Sequence, residues 1–302
     1  MNIPRVVVAT RPTALQRVIE RHGTAGQARF FLAARGQSLE DLQRWDTEQQ
    51  SALTLVEGII PLDWRRTYVQ RRDLDRFLFE PDDIVIALGQ DGLVANLAKY
   101  LDGQPVIGIN PSPAAFDGVL VPHPPAAAGS LLRAVAAGAA TFEERTMVRA
   151  SLDDGQELQA LNEVFIGHWS HQSARYRLSV GERVERQSSS GLIAATGTGS
   201  TGWARSIHGM RHSMLTLPRP TDPKLVFFVR EAFPSRATGV QIQEGMVDPG
   251  QPLTVYSEMD DGGVVFGDGI EQDRMEFTWG ARLEVRCASR TLRLVRAVSR
   301  YN

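Results

Sequence analysis

The stretch from Asp83 to Asn110 constrains the fold of this 302-residue chain more than any other. It opens with five apolar residues, Ile84–Leu88, a run short and β-branched enough to be a strand buried on both faces. A glycine-rich turn follows at 89–92, then a helical pattern with leucines at 93, 97 and 101 and a glycine at 103, where a helix would stop. A second apolar run at 106–109 completes a strand–turn–helix–strand unit.

The turn Gly89-Gln90-Asp91-Gly92 occupies the place where a parallel strand ends and a helix begins. Free backbone N–H groups and the helix dipole favour phosphate at such a turn. An acid there is unusual, and two interpretations stay open. Asp91 either caps the helix or performs chemistry beside a bound phosphate.

Helices alternate with short apolar strands throughout the first part of the chain, which indicates an α/β layer with a parallel sheet. Before the 83–110 stretch, strands are predicted at 5–9 and 64–70, and helices at 12–22, 24–33 and 38–57. A short helix at 73–79 is expected to turn Leu74, Phe77 and Leu78 inward. One more helix is predicted to end at about residue 140.

From residue 141 the pattern changes to short alternating segments separated by turn residues, which is typical of an all-β domain. Strands are predicted at 144–150, 157–166, 174–180, 192–195, 225–229, 253–256, 263–266, 275–279, 283–287 and 292–295. The Pro- and Ala-rich segment 122–128 is the best candidate linker. We therefore predict an α/β domain at 1–125 and a β-rich domain at 126–302, whose last strand can return to the first domain.

Composition argues against several classes of function. Lys and Arg total 33 against 35 Asp and Glu, so bulk electrostatics favours neither a nucleic-acid nor an anionic-membrane partner. The single cysteine, Cys287, excludes an intrachain disulfide and a cysteine-based metal site. No apolar run approaches the length of a membrane span, and no leader pattern opens the chain. A protein of the reducing cytoplasm is therefore expected.

Three further stretches stand out beside the 89–92 turn. Asn162 and Glu163 interrupt an apolar strand pattern, so one of the two side chains is expected to face something other than solvent. A strand leads into the Gly, Thr and Ser residues of 196–203, a pattern typical of an anion- or nucleotide-binding turn. Asp268 lies in a Gly-Asp-Gly turn between two strands. Taken singly, such stretches also fit a solvated strand edge or a hairpin turn.

Together and in this order, the stretches resemble the NAD kinase family. Members carry a Gly-Gly-Asp-Gly turn, a Gly-Ile-Asn strand end, an Asn-Glu pair, an Asp-Gly-Leu-Ile strand before a Thr-Pro-Thr-Gly-Ser-Thr-Ala-Tyr turn, and a late Asp-Gly. The matching segments here are 89–92, 108–110, 162–163, 190–193 with 196–203, and 268–269. The resemblance spans about residues 84–295. It implies a Rossmann-like α/β domain, a β-rich and sandwich-like second domain, and an active site between them.

The resemblance also implies a reaction, the transfer of a phosphoryl group from ATP, with Mg²⁺, to the adenosine-ribose 2′-hydroxyl of NAD. Asp91 would be the general base, and Gly89, Gln90 and Gly92 would bind phosphate. Residues of the second domain would bind the dinucleotide: Asn162, Glu163, Ser190, Thr196, Thr198, Gly199, Ser200, Thr201, Trp203 and Asp268. The implied partners are NAD(H) and ATP, and the implied assembly is a homodimer or homotetramer.

Several residues depart from the family pattern. Gln90 replaces a glycine, Leu93 a Thr or Ser, and Ser190 an Asp, while Gly197, Gly202 and Trp203 replace Pro, Ala and Tyr. Two alternatives therefore stay open, a related kinase with a nucleoside, sugar or lipid acceptor and a non-catalytic dinucleotide sensor. Arg230 and Arg236 are weaker candidates for phosphate contact. No metal site is predicted, because His168 and His171 lack a third ligand nearby in the sequence.

Overall fold

The computed structural model of the chain describes residues 3–298, which form two compact units. The N-terminal unit contains the described residues up to Glu143 together with those from Arg293, and the β-rich unit is Glu144–Leu292. The first unit thus extends past the boundary predicted at 125/126. In the described part of the chain, no helix is both long and apolar enough to span a bilayer.

The strands, in chain order, are β1 Arg5–Thr10, β2 Arg65–Gln70, β3 Ile84–Leu88, β4 Pro105–Ile109, β5 Ala140–Leu152, β6 Glu157–Ala160, β7 Glu163–His168, β8 Ala174–Val180, β9 Arg183–Ser189, β10 Leu192–Ala195, β11 Leu225–Val229, β12 Glu244–Val247, β13 Leu253–Ser257, β14 Gly263–Gly267, β15 Ile270–Glu276 and β16 Arg282–Val298. The α-helices are α1 Ala14–His22, α2 Ala25–Ala33, α3 Glu40–Ile59, α4 Asp91–Ala98, α5 Ala128–Ala136 and α6 Trp203–Arg211. Short 3₁₀ turns lie at Arg71–Arg76, Pro125–Ala127 and Gly199–Thr201.

A parallel sheet in the order β2-β1-β3-β4 forms the centre of the N-terminal unit, and the end of β16 pairs in parallel with β4. All five residues of β3 are buried, and Ile84, Ile86 and Leu88 share one apolar core with residues of helices α3 and α5. Thr13 and Thr24 accept hydrogen bonds from the first turns of α1 and α2, which fixes where those helices begin. This order places the carboxyl ends of β1 and β3 side by side.

Two antiparallel arrays face each other in the β-rich unit. One follows the order β16-β13-β8-β9, with β5 and β6 paired beside it, and the other follows β12-β11-β10-β7-β14-β15. Inward-facing residues of both arrays form one apolar core, so the unit is a sandwich. The predicted fold class, an α/β domain followed by a β-rich, sandwich-like domain, is confirmed.

Several local predictions are corrected. The predicted helix at 73–79 is a 3₁₀ turn that ends at Arg76, so Leu74 is buried but Leu78 is 86% exposed. The helix after β3 ends at Ala98 rather than near Gly103, and α5 lies within 128–136 rather than reaching residue 140. The strands predicted at 283–287 and 292–295 are one continuous strand, β16. Strands β9 and β12 were not predicted, because their sequences are polar or glycine-containing.

Candidate active site

The turn after β3 holds Asp91 in an unexpected way. Gln90 occupies the cap position of α4, and neither its side chain nor that of Asp91 caps the helix. The Asp91 carboxylate instead accepts hydrogen bonds from the backbone N–H groups of Leu120, at 2.8 Å, and Val119, at 3.1 Å. The side chain is half-buried. The helix-cap interpretation of Asp91 is therefore wrong.

The loop that binds Asp91 is itself rigidly held. Gly118 has a φ of +66°, and a Cβ there would lie 2.8 Å from the side-chain amide of Asn110. That amide donates to the carbonyl of Phe116 at 2.8 Å. The loop also crosses β4 so closely that a Cβ on Gly108 would lie 2.1 Å from the carbonyl oxygen of Leu120. These contacts fix the Asp91 carboxylate at the carboxyl edge of the sheet before any ligand binds.

Gln90 contacts a residue that the sequence prediction missed. Its side-chain oxygen accepts a hydrogen bond from the guanidinium of Arg11, which directly follows β1. A cavity of about 240 Å³ lies here, which we call the arginine cavity. It is lined by Arg11, Thr13, Ala14, Arg17, Trp45, Gln49, Gly89, Gln90, Pro111, Ser112 and Phe116. The signal for Arg11 was present in the sequence, since adjacent parallel strands bring their carboxyl ends together.

In the β-rich unit, Asp268 organises the segment around Asn162. Its carboxylate accepts from the backbone N–H groups of Asn162 at 2.7 Å and Leu161 at 2.9 Å, and its own N–H donates to the carbonyl of Glu163 at 3.0 Å. These bonds separate β6 from β7, so the expectation of one strand over 157–166 is wrong. Asn162 lies in the break and is half-buried, and Glu163 begins β7.

The Glu163 carboxyl group beside this junction has a strongly raised pKa. Burial, together with the negative charge of Asp268, raises the pKa of Glu163 to about 7. The side chain is largely removed from solvent, as the strand pattern predicted for one member of the Asn-Glu pair. Near neutral pH, Glu163 therefore changes between a hydrogen-bond donor and an acceptor-only carboxylate.

The pKa of Glu163 gives a testable dependence of stability on pH. The unfolded chain releases this proton at about pH 4.5, whereas the folded protein retains it to about pH 7. Because the folded state binds more protons in this window, its stability falls as the pH rises from 4.5 to 7. Glu163→Gln should abolish this fall and stabilise the protein above pH 7 by up to about 3 kcal/mol relative to wild type.

Urea unfolding at about pH 5 and about pH 8, on either side of this window, measures the effect. Glu157→Gln, at an exposed glutamate of β6, is the matched control and should behave like wild type. Equal pH dependence of stability in wild type and Glu163→Gln would contradict a buried, protonated Glu163.

The glycine-rich turn after β10 is an internally bonded structure. The Thr196 hydroxyl donates to the carbonyl of Leu161 at 2.6 Å and accepts from the N–H groups of Thr198 and Gly199. The hydroxyls of Ser200 and Thr201 donate to backbone carbonyls of the same turn, to Thr196 and Thr198 respectively. These hydroxyls therefore shape the turn, and their assignment to dinucleotide binding stays a prediction.

Close backbone contacts explain two glycines of this turn. A Cβ on Gly199 would lie 2.2 Å from the carbonyl oxygen of Asn162, and a Cβ on Gly197 would lie 1.8 Å from that of Arg219. Gly199 thereby ties the turn to the Asn162 segment. Gly197, which departs from the family pattern, is required because the backbone at Arg219 leaves no room for a Cβ.

Ser190 and Trp203 line a second cavity of about 460 Å³, which we call the aromatic cavity. Its walls include Phe165 and Phe266, and the rings of Phe165 and Trp203 are stacked at 6.0 Å between centroids. The guanidinium of Arg230 lies 5.0 Å from the centre of the Trp203 ring. A planar ring beside a cation is a suitable environment for an aromatic ligand. Phe165 and Phe266 were not predicted, because their strands show only an apolar pattern.

Known proteins with similar sequences are named as NAD kinases or NADH kinases. No protein-family model matches the chain. The NAD kinase of Methylococcus capsulatus is 35% identical over 136 residues, 42% of this chain and less than half, 46%, of that protein. NAD kinase 2, mitochondrial, of Xenopus tropicalis is 24% identical over 343 residues, covering 80% of this chain and 79% of the relative. These similarities in sequence support the NAD kinase family as the family that this chain resembles.

Comparison with solved structures shows that the chain shares the fold of an NADH kinase. The crystal structure of yeast NADH kinase complexed with NADH matches it with a TM-score of 0.61 at 14% identity. The match covers 99% of this chain and 85% of the yeast protein. A probable NADH kinase of Oryza sativa is 29% identical over 231 residues, 68% of each protein. The relatives are thus named as kinases, the class of enzyme that the motif order predicted.

Proposed function

We propose that this protein is an enzyme of the NAD kinase family and transfers the γ-phosphoryl group of ATP to the 2′-hydroxyl of the adenosine ribose in NAD or NADH. The observation that carries the proposal is Asp91, a carboxylate held by two backbone N–H groups at a strand–helix turn suited to phosphate. In the reaction, Asp91 takes the hydroxyl proton, the ribose oxygen bonds to phosphorus, and the bond to the ADP oxygen breaks.

The β-rich unit would supply the acceptor contacts. Asn162 and Glu163 are displayed at the junction that Asp268 and the 196–203 turn stabilise. Within the described residues, neither the Asn162 nor the Glu163 side chain makes a hydrogen bond. An ionised Glu163 could accept both hydroxyls of a ribose. We assign the aromatic cavity to a ring of the dinucleotide, and the yeast NADH kinase structure, which is a complex with NADH, supports a dinucleotide ligand.

Mg²⁺ would enter with the nucleotide. In the part of the chain that the structure describes, no group of three His, Cys, Asp or Glu side chains could hold a metal ion. Mg²⁺ is commonly bound by substrate phosphates and one or two carboxylates, so such a group is not required. Bound to the phosphates of ATP, the ion would neutralise part of their negative charge. The homodimer or homotetramer and the cytoplasmic location stay predictions.

Incubation of the purified protein with Mg-ATP and either NAD or NADH, followed by chromatography of the products, tests the proposal. NADP or NADPH should accumulate in proportion to the ADP released. ATP consumption with a nucleoside, sugar or lipid instead would identify a kinase with another acceptor. Dinucleotide binding without turnover of any acceptor would identify a sensor. Either result overturns the proposed reaction.

A further inference from the structure

Three arginines gather near the turn after β3. Arg11 is half-buried, and burial together with the charges of Arg17 and Arg71 lowers its pKa. Arg71 donates to the side-chain oxygen of Asn96 at 2.5 Å, and Arg11 donates to that of Gln90. Both partners are neutral amides. Among the residues described, none of the three arginines forms a salt bridge, so no carboxylate is paired directly with them.

The arginine cavity contains two of these cations. Arg11 and Arg17 line it, and no carboxylate is among its described lining residues. Two acids of the adjoining helix α3 lie behind this lining, because Asp46 accepts from the hydroxyl of Thr13 and Glu48 accepts from that of Ser112. The charged groups that line the cavity itself are the two guanidiniums. Like charges brought together in a partly buried cavity repel one another unless an anion joins them. The cavity therefore has the charge of a site for a polyanion.

Gln90 is suited to hold Arg11 without cancelling its charge. A glutamate at position 90 would form an ion pair and neutralise the guanidinium, and a glycine would leave it without this contact. The amide oxygen of Gln90 holds the guanidinium at a cavity that Gly89 also lines, where the strand–helix turn favours phosphate. Arginine has several N–H donors in a planar fork, so one can bind Gln90 while others remain for phosphate oxygens.

We propose that Arg11, positioned by Gln90, binds the phosphate chain of the phosphoryl donor, with Arg17 as a second cation. The assignment to the donor rests on the proposed function, whereas the polyphosphate site rests on the arginine cavity alone. Gln90 is then a positioning residue that acts through Arg11. Gln90 stands where the family pattern has a glycine whose backbone a phosphate could approach closely. In this protein, the Arg11 guanidinium that Gln90 holds would contact the phosphate instead.

Kinetics with separate titration of ATP and NAD tests the donor assignment. Arg11→Met should raise the KM for ATP about 10- to 100-fold, the effect of losing a charged hydrogen bond, with the KM for NAD and kcat changed less than about 3-fold. Gln90→Met retains the length but not the acceptor oxygen, and should raise the KM for ATP about 3- to 10-fold. The matched control is Arg76→Met, at an arginine whose side chain is 88% exposed on the 71–76 turn.

A double variant at Arg11 and Gln90 tests whether Gln90 acts only by positioning Arg11 or weakens ATP binding independently. Arg11→Met with Gln90→Met should bind ATP no worse than Arg11→Met alone, because Gln90 acts only through the guanidinium. Additive losses would overturn the positioning role of Gln90. A rise in the KM for NAD rather than for ATP would overturn the assignment to the donor.

Binding of polyphosphates, measured by calorimetry in the absence of NAD, tests the proposed site without requiring enzymatic turnover. ATP and inorganic tripolyphosphate should both bind wild type and Arg76→Met, and both should bind Arg11→Met about 10-fold or more weakly. If NAD is not phosphorylated but these affinities fall as expected, the proposed function fails and the polyphosphate site stands. If only ATP affinity falls, the site recognises the nucleoside rather than the phosphate chain, which overturns the polyphosphate assignment. Unchanged affinities, or no binding by wild type, overturn the site.

Discussion

Asp91→Asn is expected to lower kcat for NADP formation by about 10²- to 10⁴-fold, the usual contribution of a general base. An asparagine amide cannot take a proton from the ribose hydroxyl near neutral pH. Initial rates at saturating Mg-ATP and NAD measure the effect. The variant should still bind both substrates, because Gly89, Gln90 and Gly92, the proposed phosphate-binding residues, and the β-rich unit are unchanged.

The structure shows that this substitution also disturbs a loop, so it needs a control. The substituted side chain has one acceptor oxygen for the two N–H groups of Val119 and Leu120, and the unpaired group costs about 1 kcal/mol. Gly118→Ala disrupts the same loop but keeps the carboxylate, because Gly118 has a φ of +66° and no room for a Cβ. Gly118→Ala should retain most activity. If the two variants lose kcat equally, Asp91 anchors the loop and is not the base.

Periodicity and turn chemistry predicted the central unit of the fold well. The strand at Ile84–Leu88, the turn and the second strand lie where the apolar runs placed them, because a buried parallel strand has few alternatives to a continuous apolar sequence. Strand β9 has the sequence RVERQSS and was missed because a mostly polar sequence gives no apolar pattern. Its pairing with β8 along its whole length determines its conformation, and no local pattern reports such a pairing.

In the candidate site, too, local motifs pointed to residues, whereas the hydrogen bonds between distant residues could not be predicted from them. Motif order identified Asp91, Glu163 and Asp268, but the contacts that set their chemistry join distant parts of the chain. Asp268 binds the backbone of Asn162 across 106 positions, and Gln90 binds Arg11 across 79. The spacing of residues predicts neither hydrogen bond, although the pairing of β1 with β3 places Arg11 and Gln90 at the same edge of the sheet. Residue types were therefore predictable from the sequence, whereas their hydrogen-bond partners required the fold.

The contact between Asp268 and the Asn162 segment leads to the prediction with the largest effect on stability. Asp268→Ala removes both acceptors from the N–H groups of Leu161 and Asn162, and it places alanine at a φ of +54°. We expect the free energy of unfolding in urea to fall by about 2–4 kcal/mol, since each bond to a carboxylate contributes about 1.5–3 kcal/mol and the contributions are not fully additive. Asp268→Gly accepts this φ and isolates the loss of the hydrogen bonds.

Asp268→Ala should also change the pKa of Glu163, a residue of the proposed acceptor site. Without the negative charge of Asp268, the pKa of Glu163 should fall below its value of about 7, although burial still keeps it above the ordinary range. Asp268→Asn removes the charge but retains one acceptor oxygen and a residue type that tolerates positive φ, so it should lower this pKa with a smaller loss of stability. NMR titration of the Glu163 carboxyl in both variants measures the change. If the pKa is unchanged in Asp268→Asn, burial alone sets it, and Asp268 serves only to hold the backbone of the Asn162 segment in place.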